Sequence, residues 1–375
     1  MHQTIGTENQ KVKLYGLDHL RAFAIGFVFL FHYGRMFPHP EWTNAVSKFG
    51  WTGVDLFFVL SGFLISSQLF ATIASHETIS FKTFFIKRFF RIIPVYLFTL
   101  SLYFLFPIVR EREALAPLWK YLTFTQNIEL DLRTQGTFSH AWSLCIEEQF
   151  YLLLPIVLMI LAHFKLIKKG FFLLIVLFVS CFLVRLYSWN ALVLLYKQMD
   201  DYWAYWYKWI YYPTYCRLDG LLVGVAVAAI VQFAQKIHCW VNRFVYWVLG
   251  LGIAILVIAY YVCVDQESFI ASIWGFPLVS LGYGLLVWVA VCPASLLYKL
   301  NSKLSAGVAS LSYSIYLIHK IVIHLTQDIF STYQIEKDGN PMFIICIGTT
   351  LVAAFLMRLL IEKPFMKWRD YILHK

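Results

Sequence analysis

A chain of 375 residues with 60% hydrophobic and 14% charged residues and a mean hydropathy of +0.67 cannot fold as a water-soluble globule, in which roughly a quarter of residues are charged. Its formal charge of +10 comes from bases that flank apolar runs rather than gathering in one patch. That pattern argues against nucleic acid as a partner and fits the positive-inside rule of membrane proteins. The seven cysteines form no CxxC pair and no His/Cys metal spacing, so neither a disulfide framework nor a metal is expected.

A membrane-spanning helix needs about 20 mostly apolar residues. Ten segments qualify, near 17–37, 52–72, 91–108, 141–163, 170–188, 213–233, 244–264, 272–292, 307–330 and 341–360. The expected fold is therefore an all-α, polytopic integral membrane protein with about ten transmembrane helices, whose partner is the lipid bilayer. The first apolar core, 22–31, is bracketed by Arg21 and His32, and no small-x-small cleavage site follows it. It reads as a retained helix and not as a signal peptide. The segments 244–264 and 272–292 carry no charged residue. With the N-terminus cytoplasmic, 17 loop bases fall on the cytoplasmic side and 9 on the other, so both termini are expected in the cytoplasm. The external loops 109–140 and 189–212 carry Trp and Tyr in number, as interfacial belts do. There is no tandem repeat or low-complexity stretch. A single membrane domain over 1–375 is expected, with short cytoplasmic tails of about 1–13 and 364–375.

Ionisable groups at membrane depth are costly and mark function by default. Arg21 and His32 stand 11 residues apart, about three helical turns, so they share a face about 16 Å apart along the axis. Asp18 lies three before Arg21 and can pair with it. A snorkelling Arg and a His used in helix packing is the plain alternative, but the shared face favours function. In 53–63, Asp55 needs a partner, while the glycines and Ser61 suit close helix packing. Lys87, Arg88 and Arg91 begin a helix at the cytoplasmic surface, where bases anchor the chain or hold phosphates. In the stretch opened by Trp142, Glu147 has Ser143 at i−4 on the same face. Arg217 and Asp219 read as a local charge pair or as site residues. Ser312, Tyr316 and His319 form one polar stripe at i, i+4 and i+7, for packing or for chemistry.

These six stretches, in this order, resemble the acyltransferase-3 family of membrane acyltransferases. Arg21-x10-His32 resembles its first-helix signature. The segment 53–63, Arg88-x-x-Arg91-Ile-x-Pro94, Trp142-Ser-Leu-x-x-Glu147, Arg217-x-Asp219 and 312–319 resemble its later blocks. The resemblance covers about residues 14–365 and is to the stand-alone form without an SGNH-hydrolase-like domain. It implies O-acyl transfer, most often acetyl, from acyl-CoA to a hydroxyl of a sugar in a surface glycan or glycoconjugate, at the bacterial cytoplasmic (inner) membrane. No permanently bound cofactor is implied, because acyl-CoA is the donor substrate. Through the resemblance, His32 matches the essential histidine, Arg21 its partner, and Lys87, Arg88 and Arg91 the place where coenzyme A docks.

A hydroxyl is a poor nucleophile at neutral pH, and a positioned His can take its proton as the bond forms. The thioester oxygen gains charge and needs donors, for which Ser61, Tyr316 and His319 are candidates. Coenzyme A is then expected at the Arg21 end, with Glu147, a catalytic candidate alongside His32 and Arg21, and the Arg217/Asp219 pair facing the acceptor from the external side. A covalent acyl-histidine route through His32 stays open. So do two other classes: a transporter or flippase of a glycan precursor, and a non-catalytic member of a glycan-assembly complex. Oligomeric state is not legible.

Overall fold

A computed structural model describes residues 14–374. The expected tail at 1–13 and the bases Lys11, Lys13 and Lys375 lie outside the described residues. Every backbone N–H and C=O inside a bilayer must find a partner within the protein, so an apolar chain of this kind becomes helical. A helix answers each of the ten expected segments. These are α1 (Tyr15–Met36), α2 (Thr52–Ala74), α3 (Phe81–Leu105), α4 (Trp142–His163), α5 (Gly170–Ser188), α6 (Asp219–Phe233), α7 (Val245–Val262), α8 (Phe276–Ala290), α9 (Lys303–Ser331) and α10 (Asn340–Met357). No strand occurs among the described residues.

Eight spans are long and apolar enough to cross a membrane, built on α2, α3, α4, α5, α7, α8, α9 and α10. A ninth is added if α6 and the short helix Gln235–Arg243, bent by 101° at their junction, count as one. The remaining expected segment, the first, is α1, which has 22 residues and is about 33 Å long at 1.5 Å per residue. Asp18, Arg21 and Arg35 lower its apolarity, and it lies inside the bundle against α2 and α9.

Two boundaries differ from expectation for local reasons. Ser80 caps α3, its side chain accepting from the Thr83 amide at 3.3 Å, so the helix begins ten residues before the expected 91. The basic run Lys82, Lys87, Arg88 and Arg91 is therefore helix surface and not loop. The expected tail from 364 is instead the helix Lys363–Leu373, reached from α10 through a π turn at Arg358–Glu362.

The crossing of α2 and α6 is the tightest packing in the bundle. A Cβ at Gly62 would lie 2.2 Å from the Leu221 carbonyl oxygen, and one at Gly224 would lie 2.2 Å from that of Val59. Only glycine permits this backbone contact. It fixes α6 against the helix that carries Asp55 and Ser61.

Candidate active site

The face shared by Arg21 and His32 opens onto two cavities. Arg21 lines the first, of about 150 Å³, with Arg88, Arg91, Ser61, Glu147 and Tyr316. His32 lines the second, of about 320 Å³, with Arg35, Arg112, His140, Trp142 and Tyr316. Val54 and Tyr316 belong to both linings, so the cavities meet at a wall one side chain thick.

In the first cavity, Arg21 is 3.4 Å from Asp18. Arg88 reaches Gln68 at 3.4 Å and lies over the Tyr151 ring, 5.6 Å from its centroid. Ser143 and Ser312 also line this cavity. Glu147 accepts from Ser61 at 3.0 Å and from the Tyr151 hydroxyl at 3.1 Å. Glu147 therefore sits with the arginines and not on the opposite, acceptor side where the sequence had put it. The third turn of α2 and the second turn of α4 close together, which the spacing along either helix does not reveal. Lys87 is exposed and lines neither cavity.

At the wall, the Tyr316 hydroxyl donates to the His140 carbonyl oxygen and shares a 2.6 Å hydrogen bond with Ser143. Behind it three imidazoles gather. Ring centroids lie 4.9 Å apart for His32 and His319, 5.2 Å for His140 and His319, and 5.8 Å for His32 and His140. The partners assign the protons. His319 Nδ1 faces two carbonyl oxygens of its own helix, Ile315 at 3.0 Å and Tyr316 at 2.8 Å, so it carries the hydrogen and Nε2 does not. His32 Nδ1 lies 3.0 Å from His319 Nε2 and 3.0 Å from the Val28 carbonyl oxygen. Both are acceptors, so His32 Nδ1 donates to them. His32 Nε2 is left with its lone pair, which is the form a general base needs. His319 lines neither cavity; it is an acceptor behind His32 and is not free to donate to a substrate.

The remaining charges form paired struts. Arg217 donates to Asp55 at 2.7 Å, and Arg185 pairs with Asp219 and donates to the Cys216 carbonyl at 2.7 Å. Arg217 and Asp219, read from sequence as a local pair or as acceptor-side residues, thus take different partners and line neither cavity. Residues 217 and 219 flank Leu218 at the start of α6, and one pairs with α2 while the other pairs with α5. The Arg217 guanidinium lies 4.1, 4.5 and 5.2 Å from the ring centroids of Phe276, Tyr211 and Trp142. Since Tyr211 and Trp142 line the second cavity, the Asp55–Arg217 pair supports its aromatic wall from behind.

Comparison with known proteins shows the family of the chain. A family model described as an acyltransferase domain matches residues 14–359. The chain belongs to the acyltransferase-3 family. It is 30% identical over 376 residues to the O-acetyltransferase OatA of Staphylococcus aureus strain NCTC 8325, which covers 94% of this chain and 57% of that protein. It is 28% identical over 388 residues to a putative O-acetyltransferase of Staphylococcus aureus strain COL, over 98% of this chain and 60% of that one. The chain thus spans less than two thirds of the length of these relatives. No solved structure matches.

Two parts of this acyltransferase domain escaped the sequence reading. His140 is 2% exposed but precedes Trp142 in a loop read as an interfacial belt, and nothing local marks it. Lys320 is buried in an ion pair with Glu111, which ties the loop after α3 to α9. Its signal was available, since a lysine next to His319 inside an expected span is a charge at membrane depth.

Proposed function

We propose that this domain transfers an acyl group, acetyl foremost, from acyl-CoA to a sugar hydroxyl in a surface glycan or glycoconjugate at the bacterial cytoplasmic membrane. His32 is the general base. The observation that carries the reading is the pair of cavities that share Tyr316 and Val54, with Arg21 on one and His32 on the other. Arg21, Arg88 and Arg91 suit the phosphates of coenzyme A, as arginine forks do. The pantetheine arm then follows α1 over about 16 Å toward the wall. His32 Nε2 takes the acceptor proton as the oxygen bonds to the thioester carbonyl carbon. The carbon–sulfur bond breaks, and the imidazolium returns that proton to the leaving thiolate. Tyr316 is the hydroxyl that borders both cavities. It turns from the His140 carbonyl to the thioester oxygen as charge grows there. The printed names of the relatives, O-acetyltransferases, support acetyl as the group moved.

The test is transfer of radiolabel from acetyl-CoA to glycan in proteoliposomes. His32→Ala, at equal membrane abundance, should lose about 10²- to 10⁴-fold, the usual worth of a general base. Full activity of that variant overturns the base assignment. Movement of an unmodified glycan by the wild type, with no label transferred, overturns the reading in favour of a transporter.

A further inference from the structure

The second cavity is larger than a proton-transfer site needs, and its lining has a character of its own. At about 320 Å³ it reaches the range of small-molecule pockets, about 300–1,000 Å³. Trp51, Trp142, Trp203, Tyr207, Tyr211 and Tyr212 line it. Their flat faces suit the C–H face of a pyranose ring, since aromatic side chains offer large rigid apolar contact beside polar tips. Two guanidiniums, Arg35 and Arg112, share the lining. Both are exposed, and neither is in an ion pair among the described residues, whereas the buried arginines Arg185 and Arg217 are each matched to a carboxylate. Arg35 lies one turn beyond His32 on α1, so it faces the same space as the base. Arg112 comes from the loop after α3, which the Lys320–Glu111 pair fastens to α9. The charges of Glu267, Arg35 and Arg112 all act on the Tyr207 hydroxyl, which places them around one spot. Glu267 is the one acid in the lining; it feels the charge of Arg35 but forms no ion pair with it among the described residues, so two cations face one acid there.

From this we infer that the second cavity binds a pyranoside carrying an anionic group, carboxylate or phosphate, with Arg35 and Arg112 holding the anion and the aromatic wall holding the ring. The inference rests on the proposed sugar acceptor and narrows it from any sugar to an acidic one. A guanidinium beside an apolar aromatic wall is screened less by water than one in open solvent, so it attracts an anion more strongly there. Forked arginines also select planar carboxylate and phosphate oxygens. Glu267 remains for sugar hydroxyls, which carboxylates accept from.

The experiment uses the full chain in lipid nanodiscs and reads quenching of tryptophan fluorescence, because three tryptophans line the cavity. Methyl glucuronide, glucose 1-phosphate and methyl glucoside are titrated in parallel at fixed ionic strength. At least one anionic sugar should bind about tenfold or more tightly than the neutral glucoside, the worth of a charge-assisted hydrogen bond. The carboxylate and phosphate arms separate the two sources of anion. The variant Arg35→Gln with Arg112→Gln should erase the preference while leaving thermal stability unchanged. Equal affinity for all three sugars, no saturable binding of either anionic sugar, or a preference that survives the double variant overturns the inference. Label transfer from acetyl-CoA is measured on the same samples. Transfer without anion preference leaves the acyltransfer reading standing and this inference fallen; anion preference without transfer does the reverse.

Discussion

His319 offers the sharpest test of how His32 is set up for proton transfer. Alanine at 319 removes the Nε2 acceptor that lies 3.0 Å from His32 Nδ1. The Val28 carbonyl oxygen, also at 3.0 Å, stays, so the N–H keeps one of its two acceptors and the tautomer is weakened without being reversed. One hydrogen bond is worth about 0.5–1.5 kcal/mol net, which converts to about a two- to twelvefold loss in kcat at about 1.4 kcal/mol per decade. That is far smaller than the loss from removing the base itself. KM for acetyl-CoA should not move, because His319 lines neither cavity. Glutamine at 319 presents an amide oxygen near the place of Nε2 and should restore much of the rate. The assay is initial-rate label transfer in proteoliposomes at matched protein abundance. A loss as deep as that of His32→Ala would mean that His319 itself moves the proton. A glutamine variant no better than alanine would mean that the contact does not orient His32.

Other expectations follow from the same geometry. Asp55→Ala leaves Arg217, 1% exposed, as an unpaired buried charge and should destabilise the domain by about 3–5 kcal/mol, seen as a lower unfolding temperature in detergent. Adding Arg217→Met should recover most of that loss, and no recovery would show that the pair is not what the aromatic wall leans on. Arg88→Ala with Arg91→Ala should raise KM for acetyl-CoA with little change in kcat, whereas Lys87→Ala should change neither. Equal effects of all three would refute a cavity-bound coenzyme. In the loop 123–138, hydrogen bonds from Arg133 hold the Asp131 carboxyl below its ordinary value. A lowered folded-state value contributes stability above the ordinary carboxylate range and loses it as pH falls through the lowered value. Amide exchange at 130–134 should therefore rise only in that acid range, and a rise near neutral pH would contradict the clamp.

The sequence carried what lies along single helices and missed what depends on how helices meet. The Arg21–His32 register was legible because 11 residues is nearly a whole number of turns, and the two side chains do open onto successive cavities. The stripe Ser312, Tyr316 and His319 was legible for the same reason, though its members take different duties at the first cavity, the wall and the back of His32. Glu147 was placed on the wrong side because depth along α4 does not say which neighbour closes over it. Arg217 and Asp219 are two residues apart in sequence, and only tertiary packing shows that each pairs with a different helix. The count of spans blurred at α1, where charges lower apolarity, and at α6, which has 15 residues and then bends. Both of these helices carry charges of the site or of its struts, so composition fails just where the chain departs from plain lipid-facing helix.

The charges that a bilayer disfavours separate into two kinds, and the separation bears on mechanism. Asp55–Arg217, Arg185–Asp219 and Lys320–Glu111 are matched pairs with both members buried. Each charge has its counter-charge inside the protein, and none of the six residues lines either cavity. Arg88 and Arg91 in the first cavity and Arg35 and Arg112 in the second are in no ion pair among the described residues. A guanidinium held at a cavity without a carboxylate is tolerable when water or a ligand supplies the counter-charge. On the proposed function, these arginines are the stations for the two anionic molecules, and they stand on both sides of the wall. A domain that carried one substrate straight through would need one such station that is reached from both sides in turn. Two stations, divided by Tyr316 and Val54 with a histidine base at the junction, suit two anionic molecules that approach from opposite ends and exchange only a small neutral group between them.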